Sequence, residues 1–178
     1  FLIPIVTKMI GNKYAIFRLM QVLGEDKDVE KEDLQKLVYT DAVIKETLRV
    51  IPIVPVIGRY VDRDVKLKNY TLRADSQCFI FPFGMHRHPS WGADVEQFKP
   101  ERWLDPATLP KNSNTFAVFS FGKRSCLGRT YAMTSAKVVI AHIVRKFQLT
   151  ADHTKLQFKL DVTLKPIAGH EISLQRRN

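Results

Sequence analysis

Phe119-Ser120-Phe121-Gly122-Lys123-Arg124-Ser125-Cys126-Leu127-Gly128 decides how this chain is read. It sets one cysteine between two glycines, with a basic residue two positions upstream and an apolar-patterned stretch downstream. Cysteine binds a metal only as the thiolate, and that anion needs nearby positive potential or donated hydrogen bonds. From Arg129 to Lys146, Tyr131, Ala132, Ala136, Val139, Ile140, Ile143 and Val144 recur at steps of three and four, a run that Phe147 closes, which predicts a helix with one buried face. Cys126 then falls at that helix's N-terminus, where unpaired N–H groups and the positive dipole end favour an anion. Gly122 and Gly128 let the backbone turn sharply and approach both the sulfur and a flat cofactor. Phe119 can shield the sulfur from water, and Arg124 can meet a carboxylate of such a cofactor through its bidentate fork. Taken alone, the loop also admits an ordinary buried cysteine, the commoner fate of a lone Cys.

Two further segments change that balance. Lys45-Glu46-Thr47-Leu48-Arg49 lies within the pattern Leu37, Val38, Ala42, Val43, Ile44, Leu48, which predicts an amphipathic helix over Asp33 to Val50. Glu46 and Arg49 share one side of it at i, i+3, a spacing that usually yields a weak, solvated ion pair. Phe98-Lys99-Pro100-Glu101-Arg102-Trp103 adds a second arginine between a proline and a large aromatic. Each segment is bland by itself. Glu-x-x-Arg, then Pro-Glu-Arg-aromatic, then Phe-x-x-Gly-x-Arg-x-Cys-x-Gly, in that order, is not a chance combination.

In these motifs the chain resembles the cytochrome P450 family, the haem-thiolate monooxygenases, over nearly all its length. The resemblance implies an α+β fold, mainly helical with small β-sheets, with residues 1–178 forming a partial domain from the C-terminal portion of the P450 fold. It implies haem b (iron protoporphyrin IX) as cofactor, with Cys126 as the axial thiolate and metal ligand. Arg59, Phe119, Gly122, Arg124, Leu127, Gly128 and Ala132 are the implied cofactor-binding positions, Arg59 and Arg124 as partners of the carboxylates. Glu46, Arg49 and Arg102 are implied to form a buried structural triad. The implied activity inserts one atom of dioxygen into a lipophilic small-molecule substrate, with electrons from NADPH-cytochrome P450 reductase, an acidic electron donor. A non-catalytic haem-binding fragment and an inactive degenerate paralogue are the alternatives.

Val43 to Arg49, Gly58-Arg59, Met85-His86-Arg87 and Leu160 to Pro166 look like the microsomal branch that contains fatty-acid ω-hydroxylases and their insect relatives. Pro100 to Leu104 and Cys126 to Arg129 are also similar to mitochondrial steroid-type members. The microsomal branch implies the cytosolic face of the endoplasmic reticulum membrane; the mitochondrion is the alternative. His88 stands where an Asp is usual and Trp103 where a Phe is more frequent, departures expected to bear on local packing. The family's oxygen-activating helix carries an Ala-Gly-x-x-Thr-like pattern, and nothing in residues 1–25 reproduces it. The apolar run Phe1 to Ile10 is interrupted by Pro4 and Lys8 and is too short for a transmembrane helix. The expectation is therefore the haem-binding third of a longer protein, with distal wall, most of the substrate pocket and membrane anchor lying outside it, and with little activity in isolation.

Composition fits one globular core: 178 residues, 45% of them hydrophobic, without repeats or low-complexity tracts. Two cysteines do not make a disulfide framework, and Cys78, in the run Gln77 to Pro82, is expected as a core residue of a strand. The net charge of +10 is spread without a basic helix bearing interleaved aromatics, which argues against nucleic acid. Lys123, Arg124, Arg129 and Lys137 surround the cysteine loop and can steer an acidic donor, although Lys137 reads equally as plain basic surface. Asn69-Tyr70-Thr71 matches a glycosylation acceptor that a cytosol-facing domain would not have modified. Remaining elements are predicted as a helix over Tyr14 to Leu23, strands over Val56 to Val61, Val65 to Leu67, Tyr70 to Leu72 and Gln77 to Phe81, and a helical turn at Gly84 to His88. Further strands are expected over Gln148 to Ala151, Gln157 to Leu164 and Glu171 to Gln175.

Overall fold

The computed structural model describes residues 13–24, 28–169 and 171–177; the apolar run Phe1 to Ile10 lies outside them. Helix α1 (Lys13–Leu23) ends at Gly24, whose φ of +63° is open to glycine and whose N–H bonds Met20 O at 2.8 Å. The single helix expected over Asp33 to Val50 is two, α2 (Lys31–Lys36) and α3 (Val38–Val50). Glu30 and Asp33 form a capping box that starts α2 two residues before the expected boundary. The break at Leu37 has a tertiary cause. Leu37 turns into a cluster with Leu19 and Leu23 of α1 and Ala141 of the last helix, while α3 faces a different set. That second set joins Tyr39, Val43, Ile44 and Leu48 to Ala136, Ile140 and Val144 of α5 (Arg129–Lys146), which forms over the expected span. The burial of these side chains, about 1.5–3 kcal/mol apiece, seats α3 against α5.

Between those helices the chain makes small antiparallel pairs. Strand β1 (Ile57–Val61) pairs with β4 (Ser76–Ile80), with Arg59 opposite Cys78. Strand β2 (Val65–Lys66) pairs with β3 (Thr71–Leu72), and Leu67 N–H to Tyr70 O at 2.7 Å closes the Lys68-Asn69 turn between them. Cys78 is only half-buried, contrary to the core position expected of it. The β1–β4 pair is a two-stranded sheet in which Ser76, Cys78 and Ile80 face the partly covered side, while Gln77 and Phe79 point to solvent. The short helix α4 (Pro82–Met85) starts two residues earlier than Gly84, because Pro82 supplies the preset φ of a first helical position.

A run of tight turns led by prolines follows: Pro89–Trp91, Pro100–Trp103 and Pro106–Thr108, all 3₁₀. The chain then passes through Ala117, fully buried, into the cysteine loop. Strand β5 (Phe147–Thr150) pairs with β8 (Ser173–Arg176). The strand expected over Gln157 to Leu164 is a hairpin, β6 (Gln157–Leu160) with β7 (Leu164–Ala168). Asp161 N–H bonds Thr163 O at 3.1 Å across its turn, and Leu164 N–H is held by Ile53 O at 2.8 Å, a contact from outside the segment.

Candidate functional site

Glu46 and Arg49 leave α3 on the side that faces the proline-led turns, and both are 0% exposed; the solvated pair their spacing suggested is instead entirely dry. Arg102, delivered by the Pro100–Trp103 turn, is 2% exposed and joins them. The Arg49 guanidinium uses all of its N–H groups. Nε and Nη2 bind the Glu46 carboxylate at 2.8 and 2.9 Å, and Nη1 and Nη2 donate to the carbonyls of His86, Val95 and Gln97 at 2.9, 2.7 and 3.0 Å. Arg102 is likewise saturated, through Glu46 Oε1 at 3.0 Å, the Trp91 and Asp94 carbonyls at 3.1 Å each, and the Asp94 carboxylate at 3.3 Å. Glu46 also accepts from Lys99 N–H at 2.9 Å and from the Trp103 indole N–H at 3.0 Å. Burial by itself would raise the Glu46 pKa, but the bonds from Arg49, the Lys99 N–H and Trp103 outweigh it and hold the carboxyl below its usual range. The triad thus pins helix α3 to the turns by charge and by backbone carbonyls together.

A second buried group extends this clamp to the cysteine segment. His86 is 0% exposed, with Nδ1 at 3.1 Å from Arg49 O and Nε2 at 3.1 Å from the N–H of Ala117. A carbonyl can only accept and an amide N–H only donate, so these two partners assign the neutral tautomer with the proton on Nδ1. Burial lowers the His86 pKa to about 4, the Arg49 and Arg87 charges acting in the same direction. Phe116 lies against the His86 ring at a centroid distance of 5.4 Å. Sequence reasoning missed this residue, since a lone histidine carries no local signal of its partners 31 and 37 residues away. Trp103 does more than the packing expected of it, because its N–H fills a Glu46 lone pair that a phenylalanine would leave open. His88 has a comparable explanation: its Nδ1 accepts from Ser90 N–H at 3.2 Å and caps the turn that follows, a job an Asp can also do.

The cysteine loop itself is built by backbone bonds. Cys126 N–H donates to Phe119 O at 2.8 Å, and Ser125 N–H to Gly122 O at 3.1 Å. Gly122 has φ +70°, the left-handed region that favours glycine, and Ser120 takes φ +56° with its hydroxyl held by Arg59 Nη2 at 3.0 Å. That bond ties β1 to the loop, bringing the candidate Arg59 to Ser120, 61 residues on and next to Phe119. Gly128 sits where an added Cβ would lie 3.8 Å from the sulfur. Cys126 is exposed, not buried, which sets aside the ordinary core cysteine. Apolar side chains stand open along this stretch of the chain: Leu127 fully, Tyr131 in large part and Phe121 by about two-fifths (39%). Ala132 is exposed on the first turn of α5, its N–H bonding Gly128 O at 2.8 Å. Arg124 is exposed and meets no carboxylate among the described residues.

The family model for cytochrome P450 matches residues 18–172. The chain belongs to the cytochrome P450 family. It is 35% identical over 163 residues to cytochrome P450 4V2 of Mus musculus, which covers 90% of this chain and 31% of the mouse protein. It is 34% identical to probable cytochrome P450 4d21 of Drosophila melanogaster, covering 89% and 32%, and 35% identical to cytochrome P450 4g1 of the same fly, covering 97% and 31%. These relatives agree with the branch favoured from the motifs, and the helices with small sheets are part of the P450 fold. The chain spans about a third of the length of the curated relatives it matches.

Family membership implies a haem-iron cofactor. The donor set fits one: an exposed thiol at Cys126, apolar Phe121, Leu127 and Tyr131 within five residues of it in the chain, Arg124 on the loop, and Arg59, which strand β1 brings to Ser120 of the loop. These suit a flat, mostly apolar group with carboxylates at its edge. Among the described residues no helix is long and apolar enough to cross a membrane. Of the four cations around the loop, Lys137 is already engaged. Its Nζ is 2.7 Å from Asp41, which Lys45 also binds at 2.6 Å. Burial would raise the Asp41 pKa, and the hydrogen bonds from Lys137 and Lys45 reverse that and depress it.

Proposed function

We propose that this chain is the haem-holding part of a haem-thiolate monooxygenase. The observation that carries the reading is the exposed Cys126 on a loop tied through its lead-in residue Ala117, by His86, to the saturated Glu46, Arg49 and Arg102 triad. Cys126 would hold the iron of haem b through its thiolate. Its N–H is bound to Phe119 O, so the loop's own backbone sets the sulfur's place, and Phe119 restricts water at it. Gly122 and Gly128 give the close backbone approach, while Leu127 and Ala132 offer the apolar contact surface. Arg59, steadied by Ser120, and Arg124 hold the propionate carboxylates. The chemistry supplied by the bound haem is reductive activation of dioxygen, with one atom entering a lipophilic organic substrate and the other leaving as water. Cys126's part would be to supply electron density to that iron as its thiolate.

Electrons come from an acidic donor, NADPH-cytochrome P450 reductase, approaching Lys123, Arg124 and Arg129, none of which meets an acidic partner among the described residues. The relatives' branch supports a place on the cytosolic face of the endoplasmic reticulum membrane. The deciding experiment compares the haem-loaded protein with Cys126→Ser. The thiolate-type carbon monoxide spectrum should be present in the parent and absent in the variant, and its survival in Cys126→Ser would reject the ligand assignment. Turnover with reductase and NADPH then separates an enzyme from a haem binder.

A further inference from the structure

A cleft of about 470 Å³ opens between the end of the proline-led turns and the cysteine loop, within the ~300–1,000 Å³ range of ordinary small-molecule sites. Its wall is aromatic. Trp103 and Phe116 meet edge to face at 4.7 Å, and Phe119 continues the surface toward the loop. The indole N–H of Trp103 is already given to Glu46, so what this ring turns outward is apolar. Two cations stand over that wall: Lys45 Nζ lies 5.7 Å from the Trp103 ring centre, and the Arg129 guanidinium 5.8 Å from that of Phe119. Asn114 and its neighbours on the 3₁₀ turn supply a polar rim.

Charge decides what such a cleft takes. No aspartate or glutamate lines it. The nearest acid known to touch its cations, Asp41, is divided between Lys45 and Lys137, and Arg129 forms no ion pair among the described residues. A neutral apolar ligand would leave Arg129 unanswered and Lys45 with only its share of Asp41, and a cationic one would be repelled.

We propose that this cleft is a binding site for an aromatic carboxylate, the ring lying on Trp103 and Phe116 and the carboxylate meeting Arg129 and Lys45. The site goes beyond the monooxygenase reading; it shares Phe119, Gly122 and Arg129 with it, but its walls are protein alone, so its test needs no bound haem.

Naphthalene-2-carboxylate, titrated into the full 178-residue chain by calorimetry with tryptophan emission followed in parallel, tests this; both tryptophans of the chain border the cleft. Saturable one-to-one binding is expected, weakened at least fivefold by Arg129→Gln and by replacing the ligand with naphthalene-2-carboxamide, and abolished by Asn114→Trp, which fills the cleft. Asn114 and Arg129 are exposed, so both variants should keep the parent's circular dichroism. Absence of saturable binding, binding that both variants leave intact, or equal affinity for the carboxamide would overturn the proposal. So would a glutamate-rich peptide that binds where the naphthoate does not, since the cations would then belong to a protein-docking surface.

Discussion

Replacing Glu46 by glutamine changes one atom's identity and no volume, which makes it a clean probe of the charge cluster. The carboxylate receives two bonds from Arg49, one each from Arg102, Lys99 N–H and Trp103 N–H. Glutamine keeps one acceptor oxygen and turns an NH₂ toward donors that need acceptors. Arg49 and Arg102 stay charged at 0% and 2% exposure, and removing one partner of a buried ion cluster costs about 3–5 kcal/mol. Whole domains are stable by only about 5–15 kcal/mol, so Glu46→Gln should lose a large share of the chain's stability. Urea unfolding followed by tryptophan emission measures this, with Asp64→Asn as the contrast. Asp64 pairs with Arg73 at 3.1 Å, but the side chains are 52% and 77% exposed, and such a pair is worth below about 1 kcal/mol. A Glu46→Gln chain within about 1 kcal/mol of the parent, with unchanged circular dichroism, would refute the reasoning. An all-apolar replacement of the triad offers no escape, because the carbonyls of His86 and Trp91 would be left buried without donors.

Arg49→Lys retains the charge but offers three donors where five are used; each acceptor left bare costs about 1–3 kcal/mol, and an unfolding midpoint equal to the parent's would contradict this. His86 produces an acid-side effect: its pKa is lowered from 6.5 to about 4, so between those values the unfolded chain binds more protons than the folded one. Stability contributed by neutral His86 is therefore complete above pH 6.5 and lost as pH falls toward 4, by about 3 kcal/mol at most. Depressed Glu46 adds to the loss at still lower pH. The urea midpoint plotted against pH should be flatter for His86→Gln across this window, and identical slopes would remove the assignment. For donor steering, Lys123→Glu should flatten the dependence of association rate on ionic strength, whereas Lys137→Gln should change it less, since Lys137 is paired with Asp41; equal slopes for parent and Lys123→Glu would end the steering idea.

What could be read in the chain without coordinates was whatever depends on near neighbours. The buried face of α5 repeats every three or four residues, the glycines around Cys126 mark a tight loop, and the proline positions set the turns. Motif order identified the family, and with it Glu46, Arg49 and Arg102 as a set. What lay beyond reach were facts decided by residues far apart in sequence. The pair Glu46 and Arg49 looks like any surface i, i+3 couple until Arg102, 56 residues on, and the proline-led turns close over it and expel water. Helix α2 separates from α3 because Leu37 finds Leu19, Leu23 and Ala141, and β6 folds back on β7 with Ile53 holding the turn's end. His86 has no meaning as a lone letter; its tautomer and its low pKa come from Arg49 O, Ala117 N–H and the loss of solvent. Local backbone and side-chain preferences act over a few residues and are written in the chain's order. Desolvation is a property of the assembled volume, so the charge states and hydrogen bonds that give this site its character were settled only when distant segments met.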